Sequence, residues 1–313
     1  MSRAQRRRVR CPRALPPRVA RTRARTNLAI ERSRCARSCA NGRLPRVIEL
    51  LDWKSEIEAK DARGWSPLYY AAEFGHTETV VELLRRGASV AAAARNGNTA
   101  LHAAAFRGHP RVARALLDAG APIEAADANG ATPVYFAAQE GSLAVLRLLL
   151  ARGAALDKRT ADAGFSALMT AVDRDHAPAV RALLAAGADV NARASRHQQS
   201  ALHLAVAPRD PPSSARVVAA LLRAGADVDA QDDEGYSALM TAALCGNLLH
   251  ASVLLRSGAN AALLNNSGES ARDIAAAGAG GPVLELLSCE ESDEEDEEED
   301  EEDEEDEEDE EDG

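Results

Sequence analysis

Apolar residues in the middle of this chain come in short bursts at helical spacing, each closed by a glycine, rather than in one long stripe. Leu68, Ala71 and Ala72 form one burst that ends at Gly75, and Val80, Val81, Leu83 and Leu84 form a second that ends at Gly87. The spacing predicts two short helices joined by a tight turn, each with one face that must be covered. Ser66 followed by Pro67 starts the first helix, with a hydroxyl cap and a proline at the first helical position. Helices this short do not persist alone in water, so neighbouring units must stack on one another.

The stops recur on two interleaved combs. Gly64, Gly97, Gly130, Gly164, Gly235 and Gly268 form the first, and Gly87, Gly120, Gly153, Gly187, Gly225 and Gly258 the second. Steps along the second comb are 33, 33, 34, 38 and 33 residues. A fixed period in this range means a stack of repeats in which each unit buries its apolar face on its neighbours. That architecture offers an extended surface and no separate catalytic domain.

A tetrad opens the first helix of every unit: Ser66-Pro67-Leu68-Tyr69, Thr99-Ala100-Leu101-His102, Thr132-Pro133-Val134-Tyr135, Ser166-Ala167-Leu168-Met169, Ser200-Ala201-Leu202-His203 and Ser237-Ala238-Leu239-Met240. With its flanking glycines this unit resembles the ankyrin repeat, over nearly all of residues 28–289. The resemblance implies an all-α solenoid of helix-turn-helix units with short hairpin turns. The expected repeats are 61–93, 94–126, 127–160, 161–194, 195–231 and 232–264, between a cap over 28–60 and a cap over 265–289. Repeat five departs from the pattern: Gln198 stands at the turn glycine, and 207–214 replace the short turn between its helices. That insertion is either a tolerated surface loop or a contact loop for a partner.

Charge divides the chain into three parts. Residues 1–27 form an arm with ten arginines and no acid, while 290–313 form a tail with 22 Asp or Glu residues. What remains carries equal numbers of basic and acidic residues, so the rod is neutral. The tail is expected to stay disordered through self-repulsion. It serves as a solubilising segment, as a dock for basic proteins, or as a clamp on the arm. Ser292, followed by acids, is a candidate phosphorylation site, and it adds little charge to a segment already so acidic. The arm reads as a nuclear-localisation or nucleic-acid segment, an organellar targeting segment, or a leader from a misassigned start. Nucleic acid is disfavoured as a partner by the neutral rod and the acidic tail.

Five scattered cysteines without a C-x-x-C pair point to a reducing, intracellular setting, cytoplasm or nucleus. No apolar run is long enough to span a membrane. His76, His102, His109, His176 and His203 follow the repeat register, and only His197 and His250 lie off it. No metal, cofactor or catalytic residue is expected, and the chain is expected to be a monomer.

The resemblance implies that partner contacts lie at hairpin tips and exposed inner-helix positions lining a concave face. On this chain those positions give Arg63, Trp65, Phe74, Asn98, Phe106, Arg107, Phe165, Arg174 and Tyr236. Aromatics number only ten, and five of them are in that set. Aromatic and Arg side chains carry a large share of binding energy at interfaces. Asn191 is similar to hydroxylated hairpin asparagines of such repeats, against the plainer reading of a turn asparagine bonded to local backbone. Two functions follow: a non-catalytic scaffold for a protein or peptide partner, or a nuclear chaperone-like binder of basic proteins through the tail.

Overall fold

The computed structural model describes residues 38–42, 45, 48, 57–207, 215–278 and 281–288. The basic arm, the acidic tail with Ser292, most of the expected 28–60 cap and insertion residues 208–214 lie outside the described residues. Six helix pairs follow one another: α1 Pro67–Glu73 and α2 Thr77–Arg85, α3 Ala100–Arg107 and α4 Pro110–Asp118, α5 Pro133–Gln139 and α6 Leu143–Ala151. They continue as α7 Ala167–Asp173 and α8 Ala177–Ala185, α9 Ala201–Val206 and α10 Ala215–Arg223, α11 Ala238–Leu244 and α12 Leu248–Leu255. A last pair is formed by α13 Ala271–Ala277 and a helix over 281–288. Among the described residues, extended pairing is limited to two isolated bridges, Arg193 with Ser200 and Gln231 with Ser237.

The odd-numbered helices pack in one row and the even-numbered helices in a second row behind it. The tetrad fixes the first row. Ser66 Oγ accepts the N–H of Tyr69 at 3.2 Å and starts α1 in the expected way. Leu68, Leu101, Val134, Leu168, Leu202 and Leu239 are all buried, and three residues on, Ala71, Ala104, Ala137, Ala171, Ala205 and Ala242 have no exposed surface. A methyl side chain at that point lets consecutive inner helices approach closely. Leu83, Leu116, Leu149, Leu183, Leu221 and Leu254 are equally buried on the outer helices. Each such leucine contributes about 1.5–3 kcal/mol, so the seam between rows is the core of the rod.

Backbone bonds tie one hairpin tip to the next. The N–H groups of Arg95, Ala128, Ala161, Ser195, Asp233 and Asn266 donate to the carbonyls of Arg63, Asn96, Asn129, Ala163, His197 and Glu234 at 2.8–3.1 Å. The neighbour is close enough that a Cβ on Gly64 would meet Arg95 N at 2.8 Å. Repeat five manages without the glycine, holding His197 at φ 57° and Gln198 at φ 47°.

Candidate protein-interaction surface

The residues expected to bind fall into two groups. Trp65, Asn98, Phe106 and Arg107 converge on one cleft of about 150 Å³, completed by Tyr69, Glu73, His102, Ala103 and Phe136. It lies where the tips and inner helices of the first two pairs meet α5. Arg63 joins the group from the side, its guanidinium 4.9 Å from the centre of the Trp65 ring. Phe165, Arg174 and Tyr236 are further along the rod and take no part in the cleft.

The cleft walls are aromatic, and the rings hold one another. Trp65 stacks on Tyr69 with centroids 4.9 Å apart and meets Tyr70 edge-on at 5.5 Å. Phe136 meets Phe106 edge-on at 6.0 Å and His102 at 5.6 Å. These are the separations at which ring quadrupoles attract. Tyr70 donates its hydroxyl to Asp61 Oδ2 at 2.8 Å. Burial works against the Asp61 carboxylate, but the N–H of Trp65, the Tyr70 hydroxyl and the N–H of Arg63 together hold its pKa below the ordinary value. Burial, with the Asp61 bond behind it, pushes the Tyr70 phenol up to about 12.

Polar groups frame the opening. Arg107 reaches from α3 to α1 and pairs with Glu73 at 3.0 Å, while its guanidinium lies 5.3 Å from the Phe106 ring centre. Burial first, and then the Glu73 charge, raise the Tyr69 phenol to about 12. His102 is buried, accepts the Thr99 N–H on Nδ1 at 3.0 Å and places Nε2 3.2 Å from the Ala131 carbonyl. Burial lowers its pKa and so favours the neutral ring where it lines the cleft. Asn98 Oδ1 is buried and, among the described residues, has no hydrogen-bond donor.

Exposure differs from the sequence expectation for the rings. Phe74 is half exposed, beside the His76 ring, but Trp65, Phe106, Phe165 and Tyr236 are only partly exposed. Trp65, Phe165 and Tyr236 rest on the core, because a ring at the tip folds down over its own inner helix. Arg174 is exposed, with Nε 3.7 Å from Asp173 Oδ2. Asn191 bridges two repeats: Nδ2 donates to the Gly225 carbonyl at 3.1 Å and Oδ1 accepts the Asp227 N–H at 2.8 Å. Sequence reasoning did not assign Tyr69 and Phe136 to the site, since their positions belong to the scaffold in other repeats. Seven of the ten aromatics lie between Trp65 and Phe136, and that clustering was the signal.

The family model for ankyrin repeats matches in three copies, over residues 35–127, 122–194 and 202–297. The chain belongs to the ankyrin-repeat family. This ankyrin-repeat protein is also similar to the crystal structure of the human ASB11 ankyrin repeat domain, with a TM-score of 0.64 and 25% sequence identity over 72% of this chain and 98% of that one. No curated protein compared with it matches. Ankyrin repeats are protein-interaction modules and are typically non-catalytic. Among the described residues no helix is long and apolar enough to cross a membrane.

Proposed function

We propose that this ankyrin-repeat protein is a non-catalytic scaffold that holds a protein or peptide partner along its concave face. The observation that carries the reading is the cleft of Trp65, Tyr69, Phe106 and Phe136, framed by Glu73, Asn98 and Arg107. Its volume suits one side chain rather than a cofactor. The two nearby cations are already spent, Arg107 on Glu73 and Phe106 and Arg63 on Trp65. An apolar or aromatic anchor is therefore the side chain the cleft fits, entering between the rings as interface anchors do. Asn98 Oδ1, buried at the cleft wall without a donor among the described residues, is an acceptor that a partner's N–H would reach only if the Asn98 side chain turns outward.

The test is capture of partners by the full chain and by its Phe106→Ala variant, with thermal melts of both. Phe106 is partly exposed and is not part of the buried core, so its removal is expected to leave the melt within a few degrees. Partner affinity should fall about tenfold or more, the loss typical of an interface anchor. Undiminished affinity in that variant rejects the cleft. Capture that survives the variant but vanishes at high salt, or on deletion of 290–313, supports the tail-borne chaperone reading instead.

A further inference from the structure

The outer helices carry a charge asymmetry that the cleft does not use. Arg114 in α4, Arg147 in α6 and Arg181 in α8 each stand six residues before the glycine that follows their helix, Gly120, Gly153 and Gly187. All three are exposed, as is Arg111 one turn earlier in α4. Because α4 packs on α6 and α6 on α8, equal register sets the three guanidiniums in one row across the outer face. Among the described residues, none of these four arginines makes an ion pair.

Among the described residues, few acids stand near the row, Glu78 at the start of α2 being the exposed one at the register of Arg111. Helices α4, α6, α8, α10 and α12 contain Asp118 as their one acidic residue, and Asp118 is taken by Arg152 at 2.8 Å. On α2, by contrast, Glu82 takes up both Arg85 and Arg86, at 2.9 and 2.6 Å. Asp157, Asp189 and Asp227 lie in the loops beyond the helix-ending glycines, and they accept the N–H groups of Asp189, Asn191 and Asp229. Successive rows of packed helices are about 8–10 Å apart, comparable to the Debye length of about 8 Å at physiological ionic strength. The fields of neighbouring guanidiniums therefore overlap, and the row presents a positive stripe to an extended polyanion.

The chain carries such a polyanion itself. Segment 290–312 holds 22 acids in 23 residues and follows the helix over 281–288, the second helix of the last pair, which Val283 and Leu287 pin to the core. From Ser288 to Gly313 there are 25 residues, which reach about 80 Å when extended at about 3.3 Å each. The outer row from that helix back to α4 takes five helix-to-helix steps, about 40–50 Å in all. We infer that the polyacidic segment 290–312 docks on the outer face of its own rod, across Arg181, Arg147 and Arg114. Single exposed pairs contribute little; a row facing an acid at nearly every position contributes through their sum. A docked tail also leaves the ring-lined cleft open, because the stripe and the cleft are on opposite rows.

A nitroxide ligated enzymatically after Gly313 of the full 15N-labelled chain tests this by relaxation of backbone amide signals. In about 0.1 M salt the signals of α4, α6 and α8 should broaden, and in about 1 M salt, where the Debye length is about 3 Å, they should recover. The variant R114Q/R147Q/R181Q, with an unchanged melt, should lose the broadening in about 0.1 M salt. Broadening confined to 281–288 or to residues 1–27, or equal in the triple variant, overturns the proposal. Adding the nitroxide chain to a 15N-labelled chain without nitroxide should broaden nothing; broadening there would assign the contact to a second copy and overturn the intramolecular dock.

Discussion

Gly75 answers to two demands at once. Its own φ of +76° disfavours any side chain, and a Cβ there would sit 2.7 Å from the ring of His109 in the next repeat. His109 is held in place because its Nε2 bonds the Glu73 carbonyl at 3.1 Å, as His76 does with Ala40 and His176 with Gln139. Gly120 has the same kind of φ, +83°, but nothing within 4 Å of its missing Cβ. Gly120→Ala should therefore cost only the left-handed strain, about 1–2 kcal/mol, while Gly75→Ala should cost that plus the displaced His109 staple, about 3 kcal/mol or more. Urea midpoints of the two variants check this, and equal midpoints would remove the staple from the account. The sequence marked both glycines as turn formers; it could not separate them, because the difference lies in a residue 34 positions away in the chain.

The buried histidines set a pH dependence at the same scale. Burial lowers the pKa of His102 and His203 below the ordinary histidine value of about 6.5, although the Ala131 and Tyr236 carbonyls pull the other way. The unfolded chain then binds more protons than the folded one as pH falls below about 6.5, so stability is full above that value and is lost below it. A urea midpoint lower at about pH 5 than at about pH 7.5 is expected, with a flatter slope in the variant H102Q/H203Q. A slope unchanged in that variant would assign the acid sensitivity to other groups. His250 teaches the opposite lesson about the sequence: it lies off the repeat register, yet it is buried on α12 with Nδ1 2.8 Å from Asn247 Nδ2.

Among the elements, the tip of repeat five holds the most backbone strain that can be named. Two consecutive residues, His197 and Gln198, occupy positive φ without being glycine, where the other tips use Gly64, Gly97, Gly130, Gly164, Gly235 and Gly268. The tip still keeps its ladder bond, since the Asp233 N–H reaches the His197 carbonyl at 3.1 Å. Gln198→Gly should relieve strain without breaking that bond and raise stability by about 1 kcal/mol. A lower melting temperature in Gln198→Gly would show that the glutamine side chain holds the tip in a way φ does not reveal. The helix pairs themselves were readable from the chain because spacing, caps and stops agree in every unit. The cleft was only half readable: tip residues Trp65 and Asn98 could be placed by register, whereas Phe136 enters from a third repeat by lateral packing, which no local pattern encodes.

For the whole rod, coupling passes only between neighbours, so a distant lesion should be felt weakly. Both tryptophans, Trp53 and Trp65, lie at the N-terminal end, so selectively excited tryptophan fluorescence reports that end alone, while circular dichroism reports every helix. Gly235→Ala would place a Cβ 2.7 Å from Asn266 N and strain the last tip junction, far from both tryptophans. In a nearest-neighbour stack the circular dichroism midpoint in urea should fall by more than the fluorescence midpoint, and the two transitions should separate. Coincident, equally shifted transitions would instead mean that the helix pairs of the rod unfold as one unit. That result would bear on binding as well. If the rod is one cooperative unit, a partner seated at Trp65 and Phe106 would stiffen the outer stripe at Arg181. If it is a chain of neighbours, the cleft and the stripe can be occupied independently.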